Sequence, residues 1–173
     1  MAEERGRAVA RMTREAVVTV SRRIGASAEG VFRVLADPRR HGDFDGSGML
    51  RGGDFAAAVS GVGDVFVMRM HAERHGDYEM RNHVVAYEPD RRIGWEPTPG
   101  RGHPDATAPE NAWGHRWIFD LAPDGPGATV VTETFDGSRL PEGKRAEVDS
   151  GRAWWQEQMT NTLERLADLC AAR

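Results

Sequence analysis

A chain of 173 residues can bury one sizeable core and is short for two, so a single domain is expected over residues 16–173. Its 39% hydrophobic and 29% charged residues exclude the compositions of disordered and membrane-spanning chains. The formal net charge is -4, with arginines scattered among acidic residues and no basic stripe, so nucleic acid is not an expected partner.

The first fifteen residues mix acidic and basic side chains and lack the apolar stretch of a secretory signal, so a flexible arm is expected at 1–15. Residues 16–24 alternate as a strand does. Ser27 offers an N-cap to a short helix at 28–35, whose Val31, Phe32 and Leu35 recur at helical spacing before Pro38 ends the run. The polar stretch 39–45 suits a brief second helix, and the Gly-rich segment 46–53 a turn and an edge strand. Five strand-like runs follow, at 65–73, 78–88, 91–96, 113–121 and 129–136, separated by turn formers such as His75-Gly76-Asp77 and Pro89-Asp90. Strands joined by short turns favour an antiparallel meander. Residues 97–111, rich in Pro, Gly and Ala, are the main irregular loop and are expected to be a mobile lid or a disordered tip.

After Gly151 the chain contains neither Pro nor Gly and sets Trp155, Met159, Leu163, Leu166 and Cys170 on one side at three- and four-residue steps. This predicts a long amphipathic helix whose apolar face must lie on the meander. Cys170 is the one cysteine, so neither an intrachain disulfide nor a Cys-rich zinc framework can form, and a reducing compartment, the cytoplasm, is expected. No run approaches the length of a membrane span, so no membrane insertion is expected.

The ordered series of segments resembles the START-like, or SRPBCC, superfamily of helix-grip proteins and its polyketide cyclase/dehydrase branch. The resemblance is carried by VSRRIGASAEGVFRVLADP at 20–38, GDVF at 63–66, VVAYEPDRRIGW at 84–95, GHRW at 114–117 and ATVVTETFD at 128–136, and covers roughly residues 16–172. It implies an α+β fold in which a curved antiparallel sheet of six or seven strands wraps a long C-terminal helix, with one or two short helices after the first strand. It also implies a cavity between sheet and helix that accepts hydrophobic ligands. A reaction is not implied, because the fold serves both binding and catalysis.

If the His75-Gly76-Asp77 turn joins neighbouring strands, Phe66, Met68 and Met70 share a face with Arg81, His83, Val85 and Tyr87, and this face is expected to point inward. In the final hairpin, alternation puts His115, Trp117, Phe119 and Leu121 together, and a five-residue turn sets Val131, Glu133 and Phe135 beside them. The expected ligand wall is therefore Phe66, Met68, Met70, Arg81, His83, Tyr87, Trp95, His115, Trp117, Phe119 and Glu133, closed from the helix by Trp155, Met159 and Leu163. Each large apolar member reads equally as plain core; His83 and His115 read as ordinary bonded histidines, and Glu133 as a surface ion pair with Arg116 or Arg81.

His41, Asp43 and Asp45 are metal-capable, but spacing adds no further ligand, and no metal or cofactor is expected. Residues 137–144 depart from a phosphate loop, and Gly61-Val62-Gly63 lacks the third glycine of a dinucleotide fingerprint. Three functions remain open. The first is a binder of a small lipid, isoprenoid or aromatic polyketide-like molecule. A cyclase or dehydratase would instead move protons with His83 or His115 together with Glu133 or Arg81. A protein-interaction domain would have a filled core. Either a monomer or a homodimer is compatible with the sequence.

Overall fold

The computed structural model describes residues 16–54, 57–107 and 113–171; the arm expected at 1–15 and part of the expected loop at 97–111 lie outside them. In β1 (Val17–Ile24) the alternation buries Val18 and Ile24 and leaves Thr19, Ser21 and Arg23 of the opposite face wet. α1 (Ala28–Leu35) starts where the Ser27 hydroxyl accepts a hydrogen bond from Gly30 N, and it buries Val31, Phe32, Val34 and Leu35. Asp37 caps a 3-10 turn (Pro38–Arg40) that leads into the one-turn α2 (His41–Phe44).

The remaining strands are β2 (Leu50–Asp54), β3 (Val65–Ala72), β4 (Gly76–Glu88), β5 (Arg92–Pro99), β6 (Arg116–Pro123) and β7 (Thr129–Asp136). The described residues form one antiparallel sheet in the order β1-β7-β6-β5-β4-β3-β2. Two helices complete the chain, α3 (Glu142–Ser150) and the long α4 (Arg152–Ala171). This is the expected α+β helix-grip architecture, with α4 laid across the concave face of the sheet.

Three local readings differ from the sequence expectation. Helix α3 had no counterpart in it: Pro141 opens this helix and Gly151 closes it, but its polar composition carries little apolar periodicity, with only Val148 buried. β5 runs on through Pro97 and Pro99, which pair with Asn82 and Met80 of β4. Proline is tolerated there because, among the described residues, β5 pairs with β6 only as far as Trp95. Lastly, the β3-β4 hairpin closes one residue earlier than His75-Gly76-Asp77 suggests. His75 N bonds Ala72 O, Gly76 takes a left-handed φ of 72°, and Ala72 pairs with Gly76 across a three-residue loop.

That early closure changes the parity of the whole hairpin. Phe66 pairs with Asn82, Met68 with Met80 and Met70 with Tyr78. The inward residues of β4 are therefore Tyr78, Met80, Asn82 and Val84, while Arg81 and His83 face outward, contrary to expectation. A bulge between Val84 and Ala86 then restores the inward face at Tyr87, opposite Ile93, where its ring meets Phe32 edge-on at 5.3 Å.

Candidate functional site

Under the first half of α4 the layers touch along one margin, where Met159 and Trp155 pack with Val18 and Phe135, and beside that contact they part to leave a cavity of about 210 Å³. Its sheet wall is built by Met68 and Met70 of β3, Tyr78, Met80 and Asn82 of β4, Trp95 of β5, Trp117 and Phe119 of β6 and Glu133 of β7. Trp155, Met159 and Thr162 cover it from α4, and His41, Phe44 and Asp45 close one end. His103, Trp113 and His115 stand at the other. Aromatic contacts stiffen the wall: His41 stacks on Trp95 at 5.0 Å, Trp95 meets Phe119 at 5.7 Å, and Phe135 stacks on Trp155 at 4.7 Å.

Of the expected ligand wall, Met68, Met70, Trp95, His115, Trp117, Phe119, Glu133, Trp155 and Met159 line this cavity. Phe66 and Leu163 are buried in solid core instead, and Tyr87 packs on α1. Arg81 is exposed on the outer face, and His83 lies beside it with Nε2 3.1 Å from the Thr98 hydroxyl. The surface ion pair considered for Glu133 does not form, because Glu133 is buried and Arg116 bonds Glu96 at 3.1 Å. Sequence reasoning missed Tyr78, Met80 and Asn82 through the parity of one hairpin. His41 was set aside as part of a polar loop; Phe44, one turn on, was its only local sign of burial.

The metal-capable trio at the α2 end has three separate tasks. The His41 Nε2 lies 2.8 Å from Leu35 O, Asp43 pairs with Arg40 at 2.7 Å, and the Asp45 carboxylate accepts hydrogen bonds from Ser47 N, Ser47 Oγ and Leu50 N. At the opposite end, the described part of the irregular loop is held in place: Gly100 N donates to Glu79 O, Trp113 Nε1 donates to Asp105, and Lys144 of α3 sits over the Trp113 ring at 4.4 Å.

Three buried side-chain atoms among the described residues lack a hydrogen-bond partner: His41 Nδ1, His115 Nδ1 and Glu133 Oε2. All three residues line the cavity. Burial pulls His41 and His115 from the ordinary 6.5 to about 4, against the opposing charges of Asp37 and Asp45 at His41 and of Glu96 at His115. Burial pushes Glu133 well above the usual carboxylate range, and the Asp45 charge pushes the same way. At neutral pH the cavity therefore presents the uncharged imidazoles of His41, His103 and His115 and the carboxylic acid of Glu133, with the Asp45 carboxylate at the α2 end. None of the described residues lining it is Lys or Arg.

Among the described residues no hydrogen bond joins either candidate histidine, His83 or His115, to Glu133 or Arg81. Arg81 and His83 are outside. Glu133 pairs with Phe119, four residues along β6 from His115, about 13 Å of strand.

The family model described as polyketide cyclase/dehydrase and lipid transport matches residues 15–171. The uncharacterized protein Rv0088 of Mycobacterium tuberculosis strain H37Rv is 35% identical over 120 residues, 69% of this chain and 46% of the relative. This chain thus spans about half the length of the curated relatives it matches. Among solved structures, protein NE0264 of Nitrosomonas europaea superposes with a TM-score of 0.65 at 14% identity, covering 91% of this chain and 96% of that one. Protein MLL2253 of Mesorhizobium loti does so with a TM-score of 0.61 at 22% identity, covering 90% and 97%. At these identities the likeness speaks for the fold alone.

Proposed function

This chain belongs to the polyketide cyclase/dehydrase and lipid transport family, and from that premise we propose that it binds a small apolar or amphipathic molecule between the sheet and α4. The observation that carries the reading is the cavity under the first half of α4, walled by aromatic and Met side chains while the second half of the same helix rests on solid core. Apolar walls with a few polar groups are the usual make-up of a ligand site. A volume of about 210 Å³ lies below the roughly 300–1,000 Å³ of drug-sized pockets, which favours a compact ring compound over a long-chain lipid.

The enzyme reading is weaker, because a proton-moving mechanism on the expected residues needs a base and its partner within hydrogen-bond reach, and these residues are dispersed. A protein-interaction domain with a filled core is disfavoured by the cavity itself.

The test is a titration of the full chain with naphthalene, read by quenching of the tryptophans that line the cavity, alongside native mass spectrometry for co-purifying small molecules. Saturable quenching that is lost in Met68→Trp, where the larger side chain fills the space, is the expected result. Quenching without saturation, or saturation unaffected by Met68→Trp, would overturn the assignment.

A further inference from the structure

We propose, resting on the binding site just assigned, that Glu133 Oε2 and His41 Nδ1 are the two reading points for an uncharged ring compound that carries a hydrogen-bond acceptor, such as a ketone, and a donor, such as a hydroxyl. Glu133 would give the hydrogen bond and His41 would receive it.

The donor assignment follows from the setting of Glu133. It sits in mid-strand between Val131 and Phe135, pairs with Phe119 on one side and Val20 on the other, and is 4% exposed. A carboxylate so placed and without a cationic partner is strongly disfavoured as the anion, and the nearby Asp45 charge disfavours it further. The neutral acid has an O–H to donate and no protein group to take it.

The acceptor assignment follows from one hydrogen bond. Leu35 O can only accept, so the His41 Nε2 at 2.8 Å must carry the proton. Burial keeps the ring neutral, and Nδ1 is then a lone pair with no partner. The Asp45 charge at the α2 end acts on both Glu133 and His41, and Trp95 and Phe119 lie between the two along the wall. Buried polar atoms in native proteins are nearly always paired, and of the three unpaired atoms on this wall Glu133 Oε2 and His41 Nδ1 are of opposite sense and share the Asp45 end, whereas His115 stands at the other, so these two point to a ligand with the complementary pair.

The charge of the wall excludes the other common ligand class. With no Lys or Arg among its described residues and with the Asp45 carboxylate at one end, the cavity has nothing to neutralise a fatty or aromatic acid.

The experiment uses four probes with a common ring: naphthalene, 2-acetylnaphthalene, 2-naphthol and 2-naphthoate. The full chain is expected to bind 2-acetylnaphthalene about tenfold more tightly than naphthalene, the effect of one buried hydrogen bond, and 2-naphthoate most weakly. Glu133→Gln retains a donor and keeps the acetyl preference; Glu133→Leu brings the ratio to about one. The carbonyl stretch of bound 2-acetylnaphthalene should move to lower frequency in the natural chain and in Glu133→Gln, but not in Glu133→Leu. His41→Phe removes the preference for 2-naphthol over naphthalene. Equal affinity for naphthalene and 2-acetylnaphthalene, an acetyl preference that survives Glu133→Leu, or tightest binding of 2-naphthoate would overturn the inference while leaving a binding site. No saturable binding of any probe would overturn the site and the inference with it.

Discussion

The two halves of α4 run along one helix yet do different work. The second half sets Leu163, Leu166 and Cys170 against Val31, Val34 and Leu35 of α1 and the sheet beneath, and these residues are buried without a gap. The first half runs above the cavity as far as Thr162, held at its margins by Met159 and Trp155 packed with Val18 and Phe135, by Arg152 Nη1 donating to Val17 O and by Thr162 Oγ1 accepting from Gly46 N. α1 residues join the cluster of the second half, whereas the cluster that holds Met159 of the first half has none of them. A continuous apolar stripe therefore yields core where a third layer is present and a hollow where the strands curve away.

The sharpest way to break this contrast is to shorten a side chain in the packed half. Leu166→Ala, at a site with 0% exposure, is expected to lower unfolding free energy by about 2–5 kcal/mol in urea titrations. Trp155→Phe, beside the hollow and still able to stack on Phe135, should cost less than about 1.5 kcal/mol. Equal losses would mean that the two halves are packed alike.

A pH series separates the halves by another route. His41 has an unfolded value near 6.5 and a folded value of about 4, so between these the unfolded chain binds more protons and stability falls as pH falls. The loss attributable to His41 approaches about 3 kcal/mol near pH 4. His41→Phe should flatten the slope of stability against pH in this window, with His115 left to supply a decline of the same sign. Glu133 works in the opposite direction, since its raised folded value makes the native chain bind more protons as pH falls. An unchanged slope in His41→Phe would place that ring in water.

A further substitution tests how the segment after α2 holds the helix over the cavity. A Cβ at Gly46 would collide with Gln158 O and Thr162 N of α4. Gly46→Ala should cost about 1–3 kcal/mol and weaken naphthalene binding by tilting the first half of α4. A loss of stability with unchanged probe affinity would uncouple this contact from the site.

Two hairpins show which parts of the site could be read in advance. In β6-β7 the five-residue turn and the alternating Trp117, Phe119, Leu121 and Val131, Glu133, Phe135 specify the same pairing, and the structure has it. In β3-β4 both faces are mixed, so hydrophobicity did not choose the register; the turn did, and Gly76 closes it rather than occupying its centre. One residue of slip exchanged Arg81 and His83 for Tyr78, Met80 and Asn82. His41 was illegible for a different reason: Leu35 O lies close to it in the chain, but Phe66 and Trp95, which bury its ring, come from distant strands.

Element order, the single antiparallel sheet and the long final helix are set by local patterns, because caps, turns and apolar periods act over a few residues and the chain states them directly. The depth of the cavity, the inward face of β4 and the unpaired atoms of His41 and Glu133 are decided by how separated segments meet. Their energies depend on burial and on partners that exist only once the sheet has curved around α4.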